Sequence, residues 1–194
     1  MTKKANREPS ETKQLLMDIS KELFQQKSFD SVSVDEICKK AGVTKGSFYH
    51  HFASKYDIPI QQYRAIQNDF YLAYESTSGL PIVHRFERAI MWYAEYCTDD
   101  KINIITNYHR VMMNSDKNRM LRKIEMESRV FREILTVGVA ESVFREDINI
   151  SFYCEMITRF IFSLLLDWAI FKGGIDLSKE LAYLYRNLLV MIIK

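Results

Sequence analysis

The chain has 194 residues, of which 47% are hydrophobic and 27% charged, and its formal net charge is +2. That balance excludes a disordered or low-complexity chain, and 6 Gly with 3 Pro is too little punctuation for a strand-rich sandwich or barrel. The charge is uneven: residues 1–56 are net positive and the remainder slightly negative, the sign a phosphate-binding N-terminal unit needs.

Residues 1–9 are polar and lack periodicity. From Ser10, apolar residues at Leu15, Leu16, Ile19, Leu23 and Phe24 fall on one face of a helix that should stop near Ser28, before the turn chemistry of Phe29-Asp30-Ser31. Ser33 followed by Glu36 is a capping box, so a second helix should begin at Val34 and bury Val34, Ile37, Cys38 and Ala41. Gly42 can end it in a left-handed conformation, and Thr44 can cap a third helix whose Phe48 and Phe52 point to the core. Two short helices joined by a tight turn form a helix-turn-helix, and the second shows Thr44, Lys45, Ser47, Tyr49, His50 and His51 to the outside.

Ser54 with Asp57 restarts the helix, which should run to about Tyr74 with Pro59 near its first turn. Ser76 to Pro81 reads as a linker. Helical spacing returns over 82–97, 102–114, 117–143, 151–172 and 177–193, separated by short polar breaks. The expectation is all-α, about nine helices: a three-helix head over 1–53 and a larger helical domain over 54–194, linked by the helix 54–74.

Cys38, Cys97 and Cys154 are far apart and lack CxxC spacing, so neither a disulfide framework nor a metal site is expected, only buried thiols. The N-terminal MTKKANREPSETK has no apolar run, so no secretory signal is read there. The most apolar run, Phe160 to Phe171, contains Asp167 and falls short of the ~20 residues of a membrane span. A cytoplasmic chain without membrane contact is expected.

The run AGVTKGSFYHHF, with Ile37 before it and Lys55 after it, closely resembles the DNA-binding domain of TetR-family transcriptional regulators. The matching positions are Ile37, Ala41-Gly42-Val43, Thr44-Lys45-Gly46-Ser47, Tyr49, His51-Phe52 and Lys55. Ser20 and Ser28 depart from the pattern, standing where the family usually has Ala and Gly. The resemblance implies a homodimer on a palindromic double-stranded DNA operator, usually as a repressor, with a C-terminal domain that binds a small molecule and dimerises through its last two helices. It also implies phosphate contacts from Thr44, Ser47, Tyr49, His51 and Lys55, with Ser33 in the same contact set. Gly46 would let backbone lie against the sugar-phosphate chain, and Lys45 and His50 are the candidates for base edges.

For the effector, a mainly apolar pocket is expected from Phe86, Trp92, Tyr96, Tyr108, His109, Met112, Met126 and Phe131, with His109 as its polar donor. For dimerisation, Phe152, Met156, Phe160, Leu164 and Trp168 step by four along one helix, and Leu177, Leu181, Leu184, Leu188 and Ile192 form a similar stripe on the next. No cofactor is expected. An enzyme is disfavoured because no Gly-rich phosphate loop, HExxH or GxSxG is present. A helical protein-interaction adaptor is the rival reading; salt-dependent DNA binding would separate it from a regulator.

Overall fold

The computed structural model describes residues 8–114 and 117–194, and the side chains of 8–114 and 128–194. Among them are nine α-helices and no strand beyond one isolated antiparallel bridge, Phe144 to Ile193. The chain divides into two compact units, one ending at Tyr63 and the other running Arg64–Lys194.

The first unit is built from α1 (Pro9–Gln26), a 3-10 turn (Phe29–Ser31), α2 (Val34–Ala41), α3 (Lys45–His51) and the opening turns of α4 (Asp57–Glu75). α1, α2 and α3 pack on one another. Leu16, Phe29, Val32, Ile37, Phe48, Phe52 and Ile58 are buried to 2% exposure or less and form the centre of the unit. Gln62 of α4 donates its amide to the Met17 carbonyl, 3.2 Å away, tying α4 to α1.

The two departures from the family pattern fit locally. Ser20 is fully buried, but its hydroxyl donates to the Leu16 carbonyl at 2.6 Å, so no polar group is orphaned. Ser28 has an extended backbone (φ −60°, ψ 145°), which any L-residue adopts, so glycine is not required there.

The second unit contains the rest of α4, then α5 (Ile82–Tyr96), α6 (Ile102–Met113), α7 (Lys117–Ala140), α8 (Ile150–Ile170) and α9 (Leu177–Ile192). α7 packs on α5 and α8, α6 on α8, and α9 on α5 and α8. Their shared core includes Phe86, Ile90, Phe131, Ile134, Leu135, Phe144, Cys154, Ile157, Leu181 and Leu188. The stretch read as a linker, Ser76 to Pro81, is a tight turn inside this unit; Thr77 is buried and its hydroxyl donates to the Tyr74 carbonyl at 2.6 Å. The C-terminus is held by Arg145 N–H donating to the Ile192 carbonyl and Lys194 N–H to that of Val143.

The apolar stripes assigned to a dimer face are corrected here. Leu164, Trp168, Leu177, Leu181, Leu184, Leu188 and Ile192 are buried in this chain's own core, whereas Phe152 and Phe160 are exposed and Met156 half-buried. Regular spacing marks the face a helix buries first against its own neighbours. The uncovered apolar surface of α8 and α9 keeps Phe152 and Phe160 of that set and adds Ile170, Tyr183, Val190 and Met191.

Cys38 and Cys154 are buried and Cys97 is half-buried. Burial pushes the Cys97 thiol up to about 12 and that of Cys154 to about 11, so both stay protonated and unreactive at neutral pH. No helix is long and apolar enough to cross a membrane, and no His/Cys/Asp/Glu group could hold a metal, among the described residues.

Candidate nucleic-acid interface and effector cavity

The turn between α2 and α3 is fixed by local chemistry at both ends. Ser33 Oγ accepts from Glu36 N–H at 3.2 Å, starting α2. Gly42 ends it at φ 68°, ψ 31°, and Val43 N–H reaches back to the Cys38 carbonyl at 3.0 Å. Thr44 Oγ1 then accepts from Ser47 N–H at 3.1 Å and starts α3. The inward face of α3 is Phe48, fully buried; the outward residues are Thr44, Lys45, Gly46, Tyr49 and His50, with Ser47 and His51 half-buried.

This outer face offers hydroxyls, a phenol, two imidazoles and an ammonium on two turns of helix. Tyr49 is 54% exposed and packs edge-on against Phe48, its ring centroid 5.4 Å away. His51 is held below the usual imidazole range, first by burial and then by His50 and Lys13, so it is neutral at pH 7 and has one N–H to donate. Lys45 reaches back to Asp35 of α2 at 2.6 Å, which holds its ammonium above the usual range. Both side chains of that pair are largely exposed, so a competing anion can displace Asp35 at little cost.

Lys55 does something the sequence did not reveal. Its ammonium lies 3.0 Å from the Phe29 carbonyl, 3.1 Å from Asp30 and 3.0 Å from Val32, and stands over the Phe29 ring at 4.8 Å. An ammonium has three N–H donors, and here they face two carbonyls of the 3-10 turn and that of Val32 just after it. The expected phosphate contact is therefore revised to a structural clamp on the segment that leads into α2.

Gly46 is the reverse case. Its φ is not in the left-handed region, and a Cβ there would meet only Thr44 Oγ1 at an ordinary 3.7 Å. Neither conformation nor internal packing requires glycine, although glycine in a helix costs about 0.5–1 kcal/mol relative to alanine. Close approach of an outside surface to this backbone, as expected from the sequence, is the reading to test. Gly46→Ala is expected to raise the stability of the free protein by about 0.5 kcal/mol while weakening DNA binding. Thermal melts and fluorescence anisotropy on a duplex check the two halves; unchanged DNA affinity would refute the close-approach reading.

In the second unit, most residues expected to line an effector pocket pack as core among the described residues. Phe86, Tyr108, His109, Met112 and Phe131 are buried as core. Trp92 and Tyr96 stack on each other at 4.4 Å, and the Tyr96 hydroxyl donates to Asp69 at 2.8 Å. Met126 lies outside the described side chains. His109 ring nitrogens sit 2.8 Å from the Ile105 carbonyl and 3.2 Å from that of Phe162, and its ring stacks on Phe162 at 4.1 Å. Through these contacts it couples α6 to α8.

A cavity of about 430 Å³ is lined by Arg64, Gln67, Asn68, Phe70 and Tyr71 of α4, Tyr93 of α5, and Arg129 and Val130 of α7. None of the expected pocket residues lines it, because large aromatic side chains fill space more often than they leave it.

Residues 16–59 match the family model of bacterial regulatory proteins of the tetR family. The chain carries the DNA-binding domain of that family over these residues. It is 43% identical over 58 residues to the HTH-type transcriptional regulator AcrR of Shigella flexneri, covering 30% of this chain and 27% of that protein. It is 36% identical over 98 residues to the transposon Tn10 TetC protein of Escherichia coli, covering 48% of each. The chain thus spans about a quarter and about half of the length of these TetR-family relatives. A crystal structure from Syntrophomonas wolfei assigned to the TetR family superposes with a TM-score of 0.80 at 17% identity, covering 94% of this chain and 97% of the other; this likeness concerns the fold.

Proposed function

We propose that this chain is a cytoplasmic DNA-binding transcriptional regulator of the TetR family that acts as a homodimeric repressor and releases its operator when a small molecule occupies the second unit. The observation that carries the DNA-binding part is the outward face of α3, where donors suited to phosphate surround a glycine that the protein itself does not require. Thr44, Ser47, Tyr49 and His51 hold phosphates, with Ser33 at the start of α2 beside them. Lys45, freed from Asp35, and His50 reach base edges.

A two-fold dimer through the open apolar residues of α8 and α9 would place two such heads on one operator. Exposure of Phe152, Tyr183 and Val190 supports that face, since apolar surface left open on α8 and α9 would be covered favourably by a second copy. Release follows from linkage: a ligand that binds better to the DNA-incompetent arrangement lowers operator affinity by the same free energy. α4 contributes to both units and to the cavity lining, which makes it the element a ligand would move.

The test is selection of bound duplexes from a random-sequence library by the full-length protein, followed by anisotropy at increasing salt. Enrichment of a two-fold symmetric sequence, with affinity falling steeply as salt rises, is expected. Failure to enrich any sequence, together with salt-independent binding, would favour the adaptor reading instead.

A further inference from the structure

A cavity for an uncharged apolar molecule gains nothing from guanidinium groups at its mouth, because covering them strips their hydration without return. The α4–α5–α7 cavity has two, Arg64 on α4 and Arg129 on α7, and no acidic side chain lines it among the described residues. Arg129 lies 5.8 Å over the Tyr71 ring, which supports its position at the mouth. Gln67 and Asn68 add neutral amides to the same polar edge. The floor is the opposite: Phe70, Tyr93 and Val130 are 6%, 7% and 4% exposed, and Phe70 and Tyr93 pack ring to ring at 5.1 Å.

On α4, Arg64, Gln67, Asn68 and Tyr71 fall at i, i+3, i+4 and i+7, so they share one stripe about 10 Å long. A polar, cationic edge above an apolar floor suits a molecule with the complementary split. Arginine is also the side chain that best matches carboxylate and phosphate oxygens, since its planar fork donates two parallel hydrogen bonds.

We infer that the cavity takes an anionic amphiphile, a carboxylate or phosphate ester whose head engages Arg64 and Arg129 and whose short acyl or aryl body lies on Phe70, Tyr93 and Val130. This rests on the cavity being the effector site, and it replaces the mainly apolar ligand expected from sequence with one that carries negative charge.

The experiment is calorimetric titration of the full-length protein with octanoate, octyl phosphate and octan-1-ol, which share a chain and differ in the head. At least one anion is expected to bind about ten-fold or more tightly than the alcohol, the scale of one charge-assisted hydrogen bond. The anion that binds more tightly identifies the head group. Arg64→Gln combined with Arg129→Gln should remove that advantage and leave octanol binding unchanged. Asn68→Trp, which fills the mouth from an exposed position, should abolish binding of every probe. Equal binding of alcohol and anions, anion binding that survives the double arginine change or the tryptophan, or no binding at all would overturn the inference. Equal binding that is lost in Asn68→Trp and still weakens the selected operator complex would overturn the charge assignment alone. Arginine-dependent anion binding with no effect on operator affinity would leave the ligand class standing and refute the effector role.

Discussion

Replacing Gly138 by alanine should destabilise the second unit by about 2–3 kcal/mol, the range of core overpacking. Gly138 lies within α7, where alanine would ordinarily stabilise. Here a Cβ would overlap the ring of Phe144, with even the ring's Cγ only 2.9 Å away. Phe144 is fully buried and cannot retreat: it packs against Phe86 at 6.1 Å, and its own backbone is held by N–H donation to the Gly138 carbonyl at 2.9 Å. The chain makes this return because Ser142 adopts φ 58° and Val143 N–H also donates to Gly138, closing the helix end as a Schellman turn. Urea denaturation followed by Trp92 and Trp168 fluorescence would read the loss. Phe144→Leu should cost stability alone yet relieve Gly138→Ala, so the double variant should be more stable than the sum of the single effects. Strict additivity would show that the ring and the glycine are not coupled.

That close approach illustrates which parts of the fold were readable in advance. Helix ends were legible because caps are local: Ser33 with Glu36, Gly42, and Thr44 with Ser47 each act within a few residues, and each is where the sequence places it. The head's core was legible for the same reason, since Phe48 and Phe52 are four apart on a segment too short to have two apolar faces. What was illegible depends on partners distant in the chain. Periodicity shows that Leu181, Leu184 and Leu188 share a face but not that α5 and α8 already cover it. Likewise nothing in the sequence connects Arg64 with Arg129 until α4 and α7 bring them to one cavity, while Phe86, Trp92 and Phe131, expected in a pocket, belong to or pack against the core.

Lys55 gives the other large effect, and it separates a structural role from a DNA contact. Lys55→Met retains the aliphatic stem against Phe29 but removes the ammonium, leaving the carbonyls of Phe29, Asp30 and Val32 without their shared donor. Hydrogen bonds to a charged group contribute about 1.5–3 kcal/mol each. The Asp30 contact is exposed, so water replaces part of the loss, and a destabilisation of about 2 kcal/mol is expected for the first unit. The tryptophans Trp92 and Trp168 both lie in the second unit, so the measurement must be local. Hydrogen exchange should accelerate in peptides from α1, the 3-10 turn and α2 while those from α8 and α9 are unchanged. DNA affinity should fall too, and fall more on warming, because the variant loses the ordered entry into α2 and not a phosphate contact as such. A variant with unaltered exchange throughout the head and a temperature-independent loss of affinity would return Lys55 to the phosphate backbone.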